Sequence, residues 1–228
     1  MSADRANVCC VLVAAGRGER LGLDQPKAFV KLGDDPLLAH PLRRLDECEW
    51  VDAIVLVAPP GWEEPAILLA EELGCGKVRT CVPGGATRAD SVRAGLAEVP
   101  DEALVVLVHD AARPLVSDEV VARVLAPLSE GWDGVVPGLP VADTLKRVDG
   151  GGGVVETVAR EGLWAVQTPQ AFLADVLRRA YAGAGEATDC AALVEAGGGR
   201  VKVVPGDPRL LKVTTAADLA TVERWLAA

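Results

Sequence analysis

Short apolar runs alternate with segments of helical period from one end of this chain to the other, and no other feature restricts its fold as much. Val8 to Ala15 is a nearly continuous apolar run. Such a run, with no polar alternation, marks a strand buried on both faces, the usual situation of a parallel strand. Ala53 to Ala58 and Leu104 to Val108 read the same way, and Lys77 to Val82 is a weaker strand. Between them lie the amphipathic stretches Pro36 to Leu45, Glu63 to Leu73, Thr87 to Val99 and Asp118 to Leu128. Strands that alternate with helices imply βαβ units, so the expected fold is α/β, a mostly parallel sheet with helices on both faces. Pro41 should kink its helix or delay its start.

The rhythm breaks between Gly138 and Trp164. Asp143 to Val148 and Val154 to Ala159 look like two strands around a run of glycines, Gly150 to Gly153, which predicts a hairpin arm projecting at about 138–164. Such an arm reads as a dimerisation element, a lid or a plain surface loop. The rhythm then resumes with helices at Leu173 to Tyr181 and Thr188 to Ala196, a strand at Arg200 to Val204 and a last helix, Ala216 to Leu226, capped by Thr215 with Asp218. No repeat or linker divides the 228 residues, so residues 1–228 are expected to form one domain.

The net charge is −10, which repels a polyanion and argues against non-specific nucleic-acid binding. An anionic substrate would need a local cluster of cations. Residues 14–31 hold one, with Arg17, Arg20, Lys27 and Lys31 against Glu19 and Asp24. No apolar run approaches the ~20 residues of a membrane span, and Met1 to Asn7 shows no signal-peptide core. The expectation is a soluble, cytoplasmic protein. The six cysteines form no C-x-x-C pair, which leaves zinc and dithiol chemistry without support.

Three loops carry candidate chemistry. Ala14-Ala15-Gly16-Arg17-Gly18-Glu19-Arg20-Leu21 follows the first strand, with Gln25-Pro26-Lys27 beyond it. Small residues at a strand's carboxyl end let a ligand approach the backbone, and successive N–H groups can cradle an anion. No Gly-Lys-Ser/Thr follows, and Leu21 stands where a dinucleotide loop has its third glycine, so neither of those folds' fingerprints is met. Arg20 and Lys27 flank the loop and can neutralise a transferring phosphoryl group and departing pyrophosphate. Gly84 and Gly85, with Ser91 on the first turn of a helix, suit the reading of a flat base, while Thr87 accounts for part of the same pattern as a helix cap. His109-Asp110-Ala111-Ala112-Arg113 ends the most apolar strand. Asp110 can hold Mg²⁺, directly or through water, or accept hydrogen bonds from substrate hydroxyls. Arg113 has the fork for a phosphate monoester. His109 reads as a packed strand-end residue.

Together these segments resemble the 2-C-methyl-D-erythritol 4-phosphate cytidylyltransferases, nucleotidyltransferases of non-mevalonate isoprenoid biosynthesis. The motifs are Ala14-Ala15-Gly16 with Arg20, Pro26-Lys27, Arg88-Ala89-Asp90-Ser91, His109-Asp110-Ala111-Ala112-Arg113, Asp143-Thr144, Gln167-Thr168-Pro169-Gln170, Thr188-Asp189 and Lys212-Val213-Thr214, spread over nearly the whole chain. The resemblance implies a Rossmann-like fold, CTP and methylerythritol phosphate as substrates, Mg²⁺ or another divalent cation, and a homodimer joined through the arm, which reaches the partner's site. It implies that Arg20 and Lys27 stabilise the transition state. Ala14, Ala15, Gly16, Gly85 and Ser91 would bind the nucleotide. Asp110, Arg113, Thr144, Arg160, Thr188 and Lys212 would hold the acceptor, with Arg160 and Lys212 on its phosphate. The chain departs from the family's pattern in two places: Cys190 follows the Thr-Asp pair where an acidic residue is common, and Asp207-Pro208-Arg209-Leu210 replaces a common Asp-Asn. The nearest alternative is a ribitol 5-phosphate cytidylyltransferase. The missing third glycine and Lys27 argue against a nicotinamide-dependent dehydrogenase, and Arg20 with Lys27 against a non-catalytic nucleotide module.

Overall fold

A computed structural model describes residues 7–16, 18, 25–183 and 188–227. The strands are β1 (Val8–Val13), β2 (Lys31–Leu32), β3 (Asp35–Pro36), β4 (Ala53–Ala58), β5 (Val78–Pro83), β6 (Val105–Asp110), β7 (Gly134–Pro140), β8 (Leu145–Val148), β9 (Val154–Val158), β10 (Trp164–Val166), β11 (Gln170–Leu173) and β12 (Val201–Pro205). The helices are α1 (Ala39–Glu47), α2 (Glu63–Glu72), α3 (Arg88–Ala97), α4 (Asp118–Leu125), α5 (Ala174–Ala182), α6 (Cys190–Ala196) and α7 (Ala216–Leu226).

The central sheet runs β10-β7-β11-β6-β1-β4-β5, with β12 also on β7. β1 pairs in parallel with β4 and with β6, and β4 pairs in parallel with β5. β11 is antiparallel to both β6 and β7. The sheet is therefore parallel through its centre and mixed on one side. Successive residues of β1 serve opposite faces. Cys10 and Leu12 join one core with β4 residues Ile54 and Leu56 and helix residues Leu42, Leu45, Ala66 and Val124. Cys9 and Val11 join the other with Val55, Val57, Val92, Leu96, Leu177 and Val194. Helices thus cover both faces, as the unbroken apolar runs imply, and each fully buried Val or Leu contributes roughly 1.5–3 kcal/mol relative to exposure. α3 lies close on the sheet through Gly95, where a Cβ would come within 2.5 Å of Val11 and 2.7 Å of Val57.

Pro41 falls in the first turn of α1, where its missing N–H leaves no intrahelical bond unmade, so it delays the helix and does not kink it. Thr215 and Asp218 form a full capping box on α7, and Thr87 with Asp90 forms another on α3. The expected hairpin is present as β8 and β9, paired only with each other. Its base is part of the sheet, since Gly138 to Pro140 pair with Val166 to Trp164.

Candidate active site

The chain order sets where a ligand can enter. From β1 the βα units step outward to β4 and β5; α3 then carries the chain back across β1 to β6 on its other side. At such a reversal the loops leaving the carboxyl ends of neighbouring strands diverge and leave a crevice. The crevice here is a cavity of about 420 Å³ lined by the loops after β1, β5 and β6 and by the segment before α7.

Ala14, Ala15 and Gly16 form one wall, and Gly18 and Lys27 continue it. Gly85, Ala86, Thr87, Arg88 and Ser91, Asp110 to Ala112, and Lys212 with Thr214 complete the lining. The two glycine-bearing loops touch at Gly84, where a Cβ would overlap that of Ala15 and lie 2.9 Å from Ser91 Oγ. Ser91 shapes its own loop: its hydroxyl accepts from Gly85 N–H at 3.1 Å and donates to the Thr87 carbonyl at 2.9 Å.

Asp110 is the electrostatic centre. Arg88 meets its Oδ1 through Nε at 3.0 Å and Nη2 at 2.8 Å, and Lys212 Nζ meets Oδ2 at 2.7 Å. Burial alone would raise this carboxyl. The Arg88 guanidinium and the Lys212 ammonium outweigh it and hold the group well below the usual carboxylate range. The Asp110 amide donates to Thr168 Oγ1 at 3.0 Å, and Thr168 Oγ1 also pairs with His109 Nδ1 at 3.1 Å. His109 Nε2 faces the Arg113 carbonyl at 3.0 Å. A carbonyl only accepts, so Nε2 carries the proton and Nδ1 accepts from Thr168. Burial pushes the imidazole down to about 4, so His109 is a neutral strut and not a proton carrier.

Lys212 is set by its neighbours. Val213 N–H donates to the Ala112 carbonyl at 2.8 Å, and Lys27 Nζ donates to the Val213 carbonyl at 2.5 Å. Asp218 Oδ2 takes the Thr214 amide at 2.9 Å, the Thr214 hydroxyl at 2.7 Å and the Thr215 amide at 2.8 Å, and these bonds, the Thr214 hydroxyl first, bring its carboxyl down to about 2. The capping box of α7 thereby fixes the lysine that precedes it.

Ala14, Ala15, Gly16, Lys27, Gly85, Ser91, Asp110 and Lys212 are thus brought to one cavity. Arg113 is not on its wall; NH1 donates to the Leu210 carbonyl at 2.5 Å, and burial lowers its pKa. Thr144 and Arg160 lie exposed on the arm, with Arg160 NH1 bonded to the Ala142 carbonyl. Thr188 is exposed beside Asp189, which caps α6 through Ala192 N–H and accepts from Gln170. Arg20 lies outside the described residues. Thr168, Thr214 and above all Arg88 take places to which the motifs alone give no role. Among the described residues the cavity offers a metal one carboxylate, Asp110, both of whose oxygens already face cations, and no cluster of three or more His, Cys, Asp or Glu side chains suited to a metal occurs. Direct ligation by Asp110 does not fit that arrangement.

Residues 8–228 match the profile of the 2-C-methyl-D-erythritol 4-phosphate cytidylyltransferase family, IspD. The chain belongs to this family. A Saccharopolyspora erythraea protein of that name is 51% identical over 226 residues, covering 97% of this chain and 100% of its own length. A Nocardia farcinica cytidylyltransferase is 47% identical over 96% of this chain and 94% of its own. The crystal structure of the Thermus thermophilus enzyme superposes with a TM-score of 0.79 at 36% identity, over 96% of this chain and 98% of that one. These matches do not favour the ribitol phosphate alternative, and they set aside the dehydrogenase and the non-catalytic module. The cytidylyltransferase fold explains how Cys190 is accommodated: its buried thiol lies 3.2 Å from Tyr181 Oη and 3.7 Å from Arg88 NH1. Asp207, in the other departure, caps a 3-10 turn and exchanges two hydrogen bonds with Gln167.

Proposed function

We propose that the chain joins CTP to 2-C-methyl-D-erythritol 4-phosphate, giving 4-diphosphocytidyl-2-C-methyl-D-erythritol and pyrophosphate. The observation that carries this reading is the convergence of Lys27, Arg88 and Lys212 with two glycine-bearing backbone loops on one crevice, in a chain of overall negative charge. A phosphate monoester has its second pKa at about 6, so its oxygen is already a nucleophile at neutral pH. It attacks the α-phosphorus of CTP, the bond to the β-phosphate oxygen breaks, and pyrophosphate leaves. No base is required; the work is to hold two anions in line and to meet the growing charge. The loops at Ala14 to Gly16 and at Gly85 to Ser91 take the nucleotide. Lys27, with Arg20, meets the charge on the leaving group. Asp110 and Lys212 face the acceptor.

A divalent cation, when bound, supplies further charge neutralisation on the triphosphate. Asp110 would meet such a cation only through water, because both of its oxygens face Arg88 and Lys212. Thr144 and Arg160, remote from the cavity of their own chain, are assigned to the acceptor site of a second copy, which makes the working unit a homodimer. Arg113 and Thr188 are assigned to the acceptor from the resemblance. No described helix is long and apolar enough to cross a membrane, and a cytoplasmic location is proposed. Pyrophosphate release from CTP with a panel of polyol phosphates tests the whole: methylerythritol phosphate should be the preferred acceptor, and equal or better turnover of ribitol 5-phosphate would overturn the acceptor assignment.

A further inference from the structure

Arg88 is one of the cations that converge on the cavity, but its side chain has as yet no step of its own. It opens α3, lines the cavity and contacts Asp110 through two nitrogens. It is not needed to cap the helix, because Thr87 and Asp90 already do so. Its remaining terminal nitrogen faces Cys190 Sγ, which is hydrogen-bonded to Tyr181. Burial raises both the Cys190 thiol and the Tyr181 phenol, so both are neutral at neutral pH. His109 is neutral as well. Among the described residues, Asp110 is therefore the one anion in contact with Arg88.

The charge count decides what that contact does. Lys212 and Asp110 alone would make a neutral pair, and an approaching phosphate would meet a dipole with little net attraction. With Arg88 present two cations share one carboxylate, which leaves an excess positive charge. That charge is presented through Lys212, whose side chain is 38% exposed against 24% for Arg88 and 9% for Asp110. We propose that Arg88 is a positioning residue for the acceptor half of the reaction: it neutralises Asp110, so that the ammonium of Lys212 is left available to the acceptor's phosphate monoester. The inference rests on the assignment of Lys212 to the acceptor.

The test is a cycle of Arg88→Gln, Asp110→Asn and the double variant, with Arg88→Lys and Lys212→Ala beside it, read by steady-state kinetics with methylerythritol phosphate and by calorimetry with CTP. Glutamine removes the charge together with the two-nitrogen contact to Asp110, and lysine restores the charge alone. R88Q should raise the acceptor's KM about 10- to 100-fold, the effect of losing a charge-assisted contact, with CTP affinity little changed. R88K should recover most of the loss. R88Q should cost less acceptor binding in the Asp110→Asn background than in the wild type, because Arg88 acts through the Asp110 charge; an arginine with no link to that charge predicts equal losses in both backgrounds. An unchanged acceptor KM in R88Q, an equal loss of CTP affinity, or a loss from R88Q as large in the Asp110→Asn background as in the wild type each overturns the proposal. Lys212→Ala separates the two layers. If it leaves the acceptor's KM unchanged, the assignment of Lys212 has failed. If it raises that KM while R88Q does not, only the role of Arg88 has.

Discussion

Lys27 sits with its ammonium on the Val213 carbonyl, at the seam between the proposed nucleotide loop and the segment that carries Lys212. In the proposed reaction the charge growing on pyrophosphate draws that ammonium away from a neutral acceptor. Such an interaction is stronger in the transition state than in the ground state, so Lys27→Met should lower kcat by ~10²–10³ while CTP affinity falls much less. Single-turnover pyrophosphate release with calorimetry checks this; a large loss of CTP affinity with kcat intact would make Lys27 a ground-state anchor. His109 gives a different prediction. Its folded pKa of about 4 lies below the ordinary 6.5, so between those values the unfolded chain binds a proton that the folded chain refuses. Stability is complete above pH 6.5 and falls as the pH drops toward 4, by roughly 3 kcal/mol for this group. His109→Gln should flatten that part of the profile in urea unfolding, leaving the smaller slope of His40, which burial also lowers. Identical slopes in both proteins would show that the imidazole does not stay neutral on folding. Both residues are visible in the sequence as members of motifs, but the role of Arg88 is not. Its partner Asp110 is 22 positions away, and only the order of β5, β4, β1 and β6 brings the first turn of α3 over the end of β6. A motif read along the chain carries no information about strand order.

The elements themselves are legible wherever their period is pure. β4 spans the residues that its apolar run predicts, and α7 starts and stops where its cap and composition place it. β7, β10 and β11 are not legible, for physical reasons. β7 contains Pro137 and Gly138, which read as breakers, and β10 has three residues. β11 follows Thr168-Pro169 and merges into α5 without a turn. Short antiparallel strands owe their existence to neighbours and not to local preference. Two elements meet most tightly at Gly84, between the loop after β1 and the start of α3. A methyl group there would overlap Ala15 and crowd Ser91. Gly84→Ala must push the two loops apart, and overpacking of this kind costs about 1–3 kcal/mol. Because those loops form the proposed nucleotide walls, the cost should appear as CTP affinity lowered about tenfold or more, measured by calorimetry, with the fold retained by circular dichroism. Unaltered CTP binding would show that the nucleotide does not depend on their spacing.

At the scale of the whole molecule the arm is the feature that one chain leaves unexplained. β8 and β9 pair only with each other, and a lone two-stranded hairpin is marginal in water. It exposes Val148, Val154 and Val155 at 52%, 63% and 64%, with Trp164 and Val166 half-exposed at its base. Apolar surface of that kind suits an interface, and the proposed two-fold dimer would cover the same patch on both copies. The arm also carries Thr144 and Arg160 away from the cavity of its own chain, and in the proposed dimer they serve the partner's. That arrangement can be tested without relying on loss of function alone. Arg160→Ala leaves the core intact and damages the arm; Lys27→Met does the reverse. Each variant as a homodimer should be nearly inactive. When the two are unfolded together and refolded as a mixture, half of the dimers should pair a sound core with a sound arm in one of their two sites, restoring about a quarter of wild-type activity by random assortment. Sedimentation would establish that both variants and the mixture are dimeric. A mixture no more active than its separate components, in dimers shown to exchange, would mean that Arg160 serves the cavity of its own chain.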